Sequence, residues 1–202
     1  MGNPVFPPVP DGAFTMKKSP CFNRLLAYAA FDCAQRGSKV INSDHLLLAL
    51  YREDFLLIDQ VMTMLDIDSF YPLGRLLKNN PESDEPCDIQ SVLVGSEARE
   101  IIVLAGMEAQ RFRHELLMST HVFMALLNSS RSFLHRFLSE KEIEPARARA
   151  LISEVRFDGE VPAETVELRR DDDTYLAVDY MDVKGFLPDN IGISTLKLIK
   201  KL

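Results

Sequence analysis

The chain has 202 residues, 47% of them hydrophobic, and a formal net charge of -7, which suffices for one good core with a small appendage. The acidic balance excludes a general nucleic-acid surface, since phosphate binding needs clustered Lys and Arg, and it points to protein partners. No apolar run reaches the roughly 18 residues of a membrane span and no signal-peptide pattern follows Met1, while Cys21, Cys33 and Cys87 form an odd set without metal spacing, so a cytoplasmic, reducing setting is expected.

Residues 1–18 hold Pro4, Pro7, Pro8 and Pro10 with Gly2 and Gly12, a composition that reads as a flexible, extended arm. Order begins at Ser19-Pro20, where serine can accept from the free N–H groups of a first turn and proline loses no hydrogen bond. That helix carries Leu25, Ala29, Phe31 and Ala34 and stops at Gly37. Ser43 is expected to cap a short helix bearing Leu46, Leu47, Leu50 and Tyr51. A third helix is predicted over 55–65, and a fourth, capped by Asp68, ends near Asn80-Pro81. The stretch 81–87, rich in Asp, Glu, Ser and Pro, reads as a solvated linker.

Ser96 opens the second half, with Glu97 and Glu100 placing negative charge in the first turn. Helices are predicted at roughly 96–112, 119–128, 131–140 and 145–154. From Val155 the character changes: ten acidic and seven basic residues accompany two strand-like segments at 165–168 and 175–178. This acidic extension, 155–202, is compatible with a small hairpin, an unstructured region or an arm ordered by a partner.

The two halves echo each other. Ser43-Asp44-His45-Leu46-Leu47-Leu48-Ala49-Leu50 returns as Ser119-Thr120-His121-Val122-Phe123-Met124-Ala125-Leu126, offset by 76 residues. Upstream, Ala30 to Arg36 matches Ala105 to Arg111 at an offset of 75, which reads as one extra residue in the second loop. Ile67-Asp68 and Ile143-Glu144 return to 76. A duplicated unit of about 75 residues predicts an all-α, eight-helix bundle of two pseudo-twofold four-helix repeats, about 19–80 and 96–154.

No catalytic set emerges. His45 and His121 recur at equivalent helix starts, where an imidazole can bond to the neighbouring loop, whereas a nucleophile with its base is expected once, beside a third orienting group. His114, His121 and His135 sit on separate helices without cysteine partners, so no metal is expected. Asp66/Asp68 and Asp171 to Asp173 fit caps and turns. Gly37-Ser38-Lys39 lacks the first glycine and the preceding strand of a phosphate loop, so no nucleotide cofactor is expected. Surface recognition remains, with Phe22, Phe31, Leu47, Phe112 and Phe123 as candidate protein-binding residues and a shallow apolar groove between the halves as its natural location.

Taken together, Ala30, Ala34, Arg36, Gly37 and Ile41 with the Ser43–Leu50 stretch, and Ala98, Ala105, Ala109, Ser119-Thr120-His121 and Ala125-Leu126-Leu127, resemble the duplicated Clp N-terminal domain of the Hsp100 AAA+ unfoldases. The resemblance covers about 19–154. It implies a module without enzymatic activity that binds clients or adaptors for an ATPase ring, here without the ring, as an accessory factor in Clp-type unfolding or proteolysis. The alternative is a divergent scaffold binding a helix or peptide of an unrelated secretion or regulatory complex. Some relatives bind phosphorylated arginine through a glutamate of each repeat motif and a threonine at each first-helix start. Those positions fall here on Asp44 and Thr120, and near Pro20 and Gly95, so one carboxylate and both hydroxyls are missing.

Overall fold

A computed structural model describes residues 16–158. The first repeat contains α1 (Pro20–Gln35), α2 (Ser43–Glu53), α3 (Phe55–Met64) and α4 (Phe70–Asn79); the second contains α5 (Ser96–Arg111), α6 (Ser119–Asn128), α7 (Phe133–Glu140) and α8 (Pro145–Ser153). The fold is an all-α bundle of eight helices in the described residues. Ser19 caps α1 by accepting from the Phe22 N–H, with Pro20 opening the first turn. At α2 the cap is Asn42 rather than Ser43, because the Asn42 side chain accepts from the Asp44 and His45 N–H groups. Ser69 stands at the α4 cap position, although Asp68 still accepts from the Phe70 N–H at 3.0 Å.

Four two-residue strands join the repeats. β1 (Lys17–Lys18) pairs in parallel with β4 (Leu116–Leu117), and β2 (Val40–Ile41) with β3 (Leu93–Val94). Each repeat's leading strand thus bonds to the strand ahead of the other repeat's second helix. The end of the arm is therefore held: Lys17 and Lys18 are paired, and the Ser19 N–H continues the ladder to the Leu117 carbonyl at 2.9 Å. Its counterpart is the Gly95 N–H on the Ile41 carbonyl, also 2.9 Å. A Cβ on Gly95 would lie 2.7 Å from that oxygen, so the glycine permits the approach.

The core is built on α2 and α6, which meet across the repeat boundary while α1 covers the first and α5 the second. Leu46, Leu47, Leu50, Val122, Phe123 and Leu126 are all buried here. The segment 81–87 is not simply solvated: the Ser83 and Cys87 N–H groups donate to the Gln35 and Ala34 carbonyls at 3.2 and 2.9 Å, tying the segment to the end of α1. Beyond α8 a π-helical turn, Glu154–Asp158, continues the chain. The strand-like segments at 165–168 and 175–178 lie outside the described residues.

Helix ends correct the repeat register. After α1, the Gly37 and Ser38 N–H groups bond to Ala34 and Cys33, and after α5 the Arg113 and His114 N–H groups bond to Gln110 and Ala109. The same paired closure ends α3 at Asp66 and Ile67 and α7 at Glu142 and Ile143, the arrangement expected when the residue after the cap turns left-handed. All these pairs are 76 residues apart, so no extra residue enters the second loop; the apparent offset of 75 arose from aligning alanines that occupy neighbouring helix positions.

Four left-handed positions result, Gly37, Asp66, Arg113 and Glu142, with φ of 66°, 59°, 55° and 57°. Only the first is glycine. Arg113→Gly is expected to stabilise the fold by about 0.5–1 kcal/mol, because a side chain in this region crowds its own backbone. Gly37→Ala is expected to cost about 1–2 kcal/mol, since the new Cβ would also meet Ser83 Oγ at 3.0 Å and the Glu85 carbonyl at 3.1 Å. Urea unfolding midpoints of both variants check the opposite signs at equivalent turns.

Candidate protein-binding surface

The duplicated motif residues sit at the starts of α2 and α6. His45 Nδ1 accepts from the Asn42 N–H at 3.2 Å, and His121 Nδ1 accepts from the Met118 N–H at 3.0 Å. Both rings are buried. Burial, with Arg36 nearby, pushes His45 down to about 4; burial, with His114 beside it, pushes His121 down to about 3. His121 Nε2 faces His114 Nδ1 at 2.9 Å. With Nδ1 of His121 accepting, its Nε2 is the protonated nitrogen and donates to His114.

The neighbouring hydroxyls connect elements. Ser43 Oγ donates to Glu97 at 2.8 Å, joining the starts of α2 and α5, and Ser119 Oγ donates to Asp54 at 3.3 Å. Asp44 accepts from Asn80 at 3.0 Å, and burial raises its carboxyl above the ordinary range. Thr120 is buried. With Pro20 and Gly95 carrying no hydroxyl at the two first-helix starts, the phosphoarginine positions do not assemble a matched pair of sites.

Phe22, Leu47 and Phe123 are at most 1% exposed. They are core residues and offer no surface to a partner, which corrects their place among the candidates. Phe31 and Phe112 are half-buried, each beneath a guanidinium: Arg52 lies 5.5 Å from the Phe31 centroid and Arg149 lies 5.7 Å from that of Phe112.

Exposed apolar side chains lie on the β2–β3 pair, where Val40 and Leu93 are 48% and 61% exposed, and in the first turns of α3 and α4. Leu56 is 78% exposed, Phe70 62% and Tyr71 51%. Phe70 packs on Phe55 with centroids 5.4 Å apart, tying the first turns of α3 and α4 together. Tyr71, next in the chain, lines an open groove of about 530 Å³ with Leu65, Ile67, Lys141 and Ile143. The groove brings together the equivalent turns after α3 and α7, so it straddles the repeat boundary. Its rim is braced by Tyr71 against Phe137 at 5.9 Å, Lys141 over the Tyr71 ring at 5.1 Å, and Arg75 paired with Glu140 at 2.7 Å.

The residues from Glu53 to Gly74 include five carboxylates, Glu53, Asp54, Asp59, Asp66 and Asp68, and no Lys or Arg. This is a property of the sequence window; in space Glu53 and Asp54 are paired with Arg24 and Arg156, and Lys141 lies over Tyr71. Among the described residues no group of three or more His, Cys, Asp or Glu is placed to hold a metal ion, and no helix is long and apolar enough to cross a membrane.

No family model and no curated protein sequence matches this chain. Solved structures do. One, from preliminary structural investigations of a malarial protein secretion system, is 16% identical with a TM-score of 0.58, covering 73% of this chain and 99% of its own. The Hsp104 N-terminal domain from Candida albicans is 14% identical with a TM-score of 0.55, covering 66% and 87%. The N-terminal domain of the Clp-associated chaperone ClpD from Arabidopsis thaliana is 14% identical with a TM-score of 0.50, covering 69% and 96%. The described domain has the Clp N-terminal-domain fold, in agreement with the resemblance of its duplicated motif.

Proposed function

We infer that this domain is a non-catalytic protein-binding module that receives client or adaptor polypeptides for a Clp-type unfolding or proteolytic machine. The observation that carries this reading is the exposure of Leu56, Phe70 and Tyr71 in the first turns of α3 and α4, with Tyr71 lining the groove between the repeats. Large apolar side chains left in water on a folded surface favour contact with another chain. An open, shallow groove suits an extended or helical segment better than a small substrate, which needs an enclosing pocket.

Binding of a fluorescently labelled unfolded polypeptide such as casein, followed by anisotropy, tests the reading. Leu56→Glu with Phe70→Glu is expected to weaken binding at least tenfold, because the pair removes the apolar contact and puts in its place charges that must be desolvated. Met107→Glu, exposed on α5, is expected to change it less than twofold. Equal affinities for the three proteins would rule out Leu56 and Phe70 as the contact surface.

The likeness to the malarial secretion-system structure favours a second reading, a scaffold that binds one helix or peptide of a secretion or regulatory complex. A protein that ignores casein but binds one defined helical segment, with the same sensitivity at Leu56 and Phe70, would select it.

A further inference from the structure

Cys33 and Cys87 are far apart in sequence, one in α1 and the other in the segment joining the repeats, yet their thiols donate to a single acceptor. Cys33 Sγ lies 3.2 Å and Cys87 Sγ 3.0 Å from the Ser38 carbonyl oxygen. Two sulfurs touching the same oxygen are themselves neighbours. The Cys87 N–H bonds to the carbonyl of Ala34, the residue after Cys33, at 2.9 Å, and the Ser83 N–H bonds to Gln35 at 3.2 Å. The two backbones are thus held in hydrogen-bond contact, the approach a disulfide needs, with Cα atoms about 4.4–6.8 Å apart. Cys21 belongs to another place, with its sulfur 3.0 Å from Ser19 Oγ at the opposite end of α1.

We propose that Cys33 and Cys87 form a dithiol modification site that takes a low-molecular-weight disulfide as oxidant and closes to an intramolecular disulfide. Cys87 is partly exposed and Cys33 is buried, so Cys87 reacts first. Its thiol gives a proton to water, and the thiolate attacks one sulfur of the reagent. The reagent's S–S bond breaks, one small thiolate leaves and takes up a proton, and a mixed disulfide remains on Cys87.

Cys33, whose thiol burial pushes up, then loses its proton and attacks the Cys87 sulfur, expelling the second small thiol. Two protein thiols have been oxidised by two electrons, and the reagent has been reduced to two thiols. Closure fastens the inter-repeat segment to the end of α1 and encloses the rest of the first repeat in a covalent loop. The bond adds a constraint to the same segment that sets the spacing between the repeats.

The 202-residue chain is treated with oxidised glutathione, alkylated, digested and analysed by mass. A Cys33–Cys87 linkage is expected, reversed by dithiothreitol, with Cys21 still alkylated and the thermal midpoint raised by about 5–10 °C, as for closure of a long loop. Cys21→Ser is expected to retain the linkage, and Cys87→Ser to leave Cys33 alkylatable. A glutathione adduct that persists on Cys87, an unreacted Cys87, or linkage through Cys21 or to a second chain would each overturn the assignment. The readout is covalent chemistry and midpoint, so it stands apart from the casein result.

Discussion

Glu108→Ala is expected to destabilise the domain by about 3–5 kcal/mol, the cost of leaving a charge without its partner in a buried pair. Glu108 is buried on α5 and joins three elements. One oxygen accepts from Asn128 at the end of α6 at 2.9 Å and from Arg149 Nε on α8 at 3.2 Å, while the other pairs with Arg149 Nη2. The Arg149 side chain is only 18% exposed, so truncating Glu108 strands a guanidinium that water cannot fully solvate. Glu108→Gln keeps an acceptor for Asn128 and is expected to lose about half as much.

The equivalent residue in the first repeat provides the contrast. Asp32 pairs with Arg52 at 2.7 Å, but Arg52 is 41% exposed and the second Asp32 oxygen has no partner among the described residues. Burial accordingly pushes the Asp32 carboxyl up despite Arg52 and Arg36. Asp32→Asn is therefore expected to cost less than 1 kcal/mol, since removing an imperfectly paired buried charge also removes its desolvation penalty. Urea unfolding of Glu108→Ala and Asp32→Asn side by side checks the order, and equal losses would contradict it.

Stability is expected to fall by about 3–4 kcal/mol between pH 7 and pH 5, from two buried imidazoles that stay neutral in the fold. Their ordinary value is 6.5, and in the native state His45 titrates at about 4 and His121 at about 3. As pH drops below 6.5 the unfolded chain binds a proton at each ring while the native chain does not, so the equilibrium moves towards unfolding. The effect grows from pH 6.5 down to about 4 for His45 and about 3 for His121, and it is small above 7.

Asp32, Asp44 and Asp54, all raised by burial, act in the opposite sense as pH falls towards their folded-state values, so the histidine part is read from a variant that lacks both imidazoles. A variant with His45→Gln and His121→Gln keeps an acceptor for the Asn42 and Met118 N–H groups. Its stability at pH 7 is lower, but its fall between pH 7 and 5 is expected to shrink by about 3 kcal/mol. An unchanged slope would assign the acid sensitivity to other groups.

Most helix limits were legible from local signals. Ser19-Pro20 opens α1, Gly37 closes it, and Pro145 opens α8 at its predicted start, because capping and left-handed turns depend on a few adjacent residues. The displaced cap at α2 shows the limit of this local reading. Asn42 and Ser43 are both good cap residues, and the backbone of Asn42, extended at φ -117° and ψ -172°, decides between them. The binding candidates were less legible. Phe22 and Phe70 are the same residue type at the beginning of two helices, yet one is at 0% exposure and the other at 62%.

The sequence by itself determined the eight-helix content and the duplication, and its repeated motif carries the resemblance to Clp N-terminal domains. The helices and the duplication follow from apolar periodicity and short capping patterns that recur along the chain. Tertiary structure alone decided the uniform 76-residue register, the exchange of strands between repeats, the meeting of Cys33 with Cys87, and the exposure of Leu56, Phe70 and Tyr71. Each of these depends on which distant segment covers a given face. Backbone pairing over two residues leaves no periodicity to read, and the burial of a phenylalanine is set by its neighbours in space rather than by its neighbours in sequence.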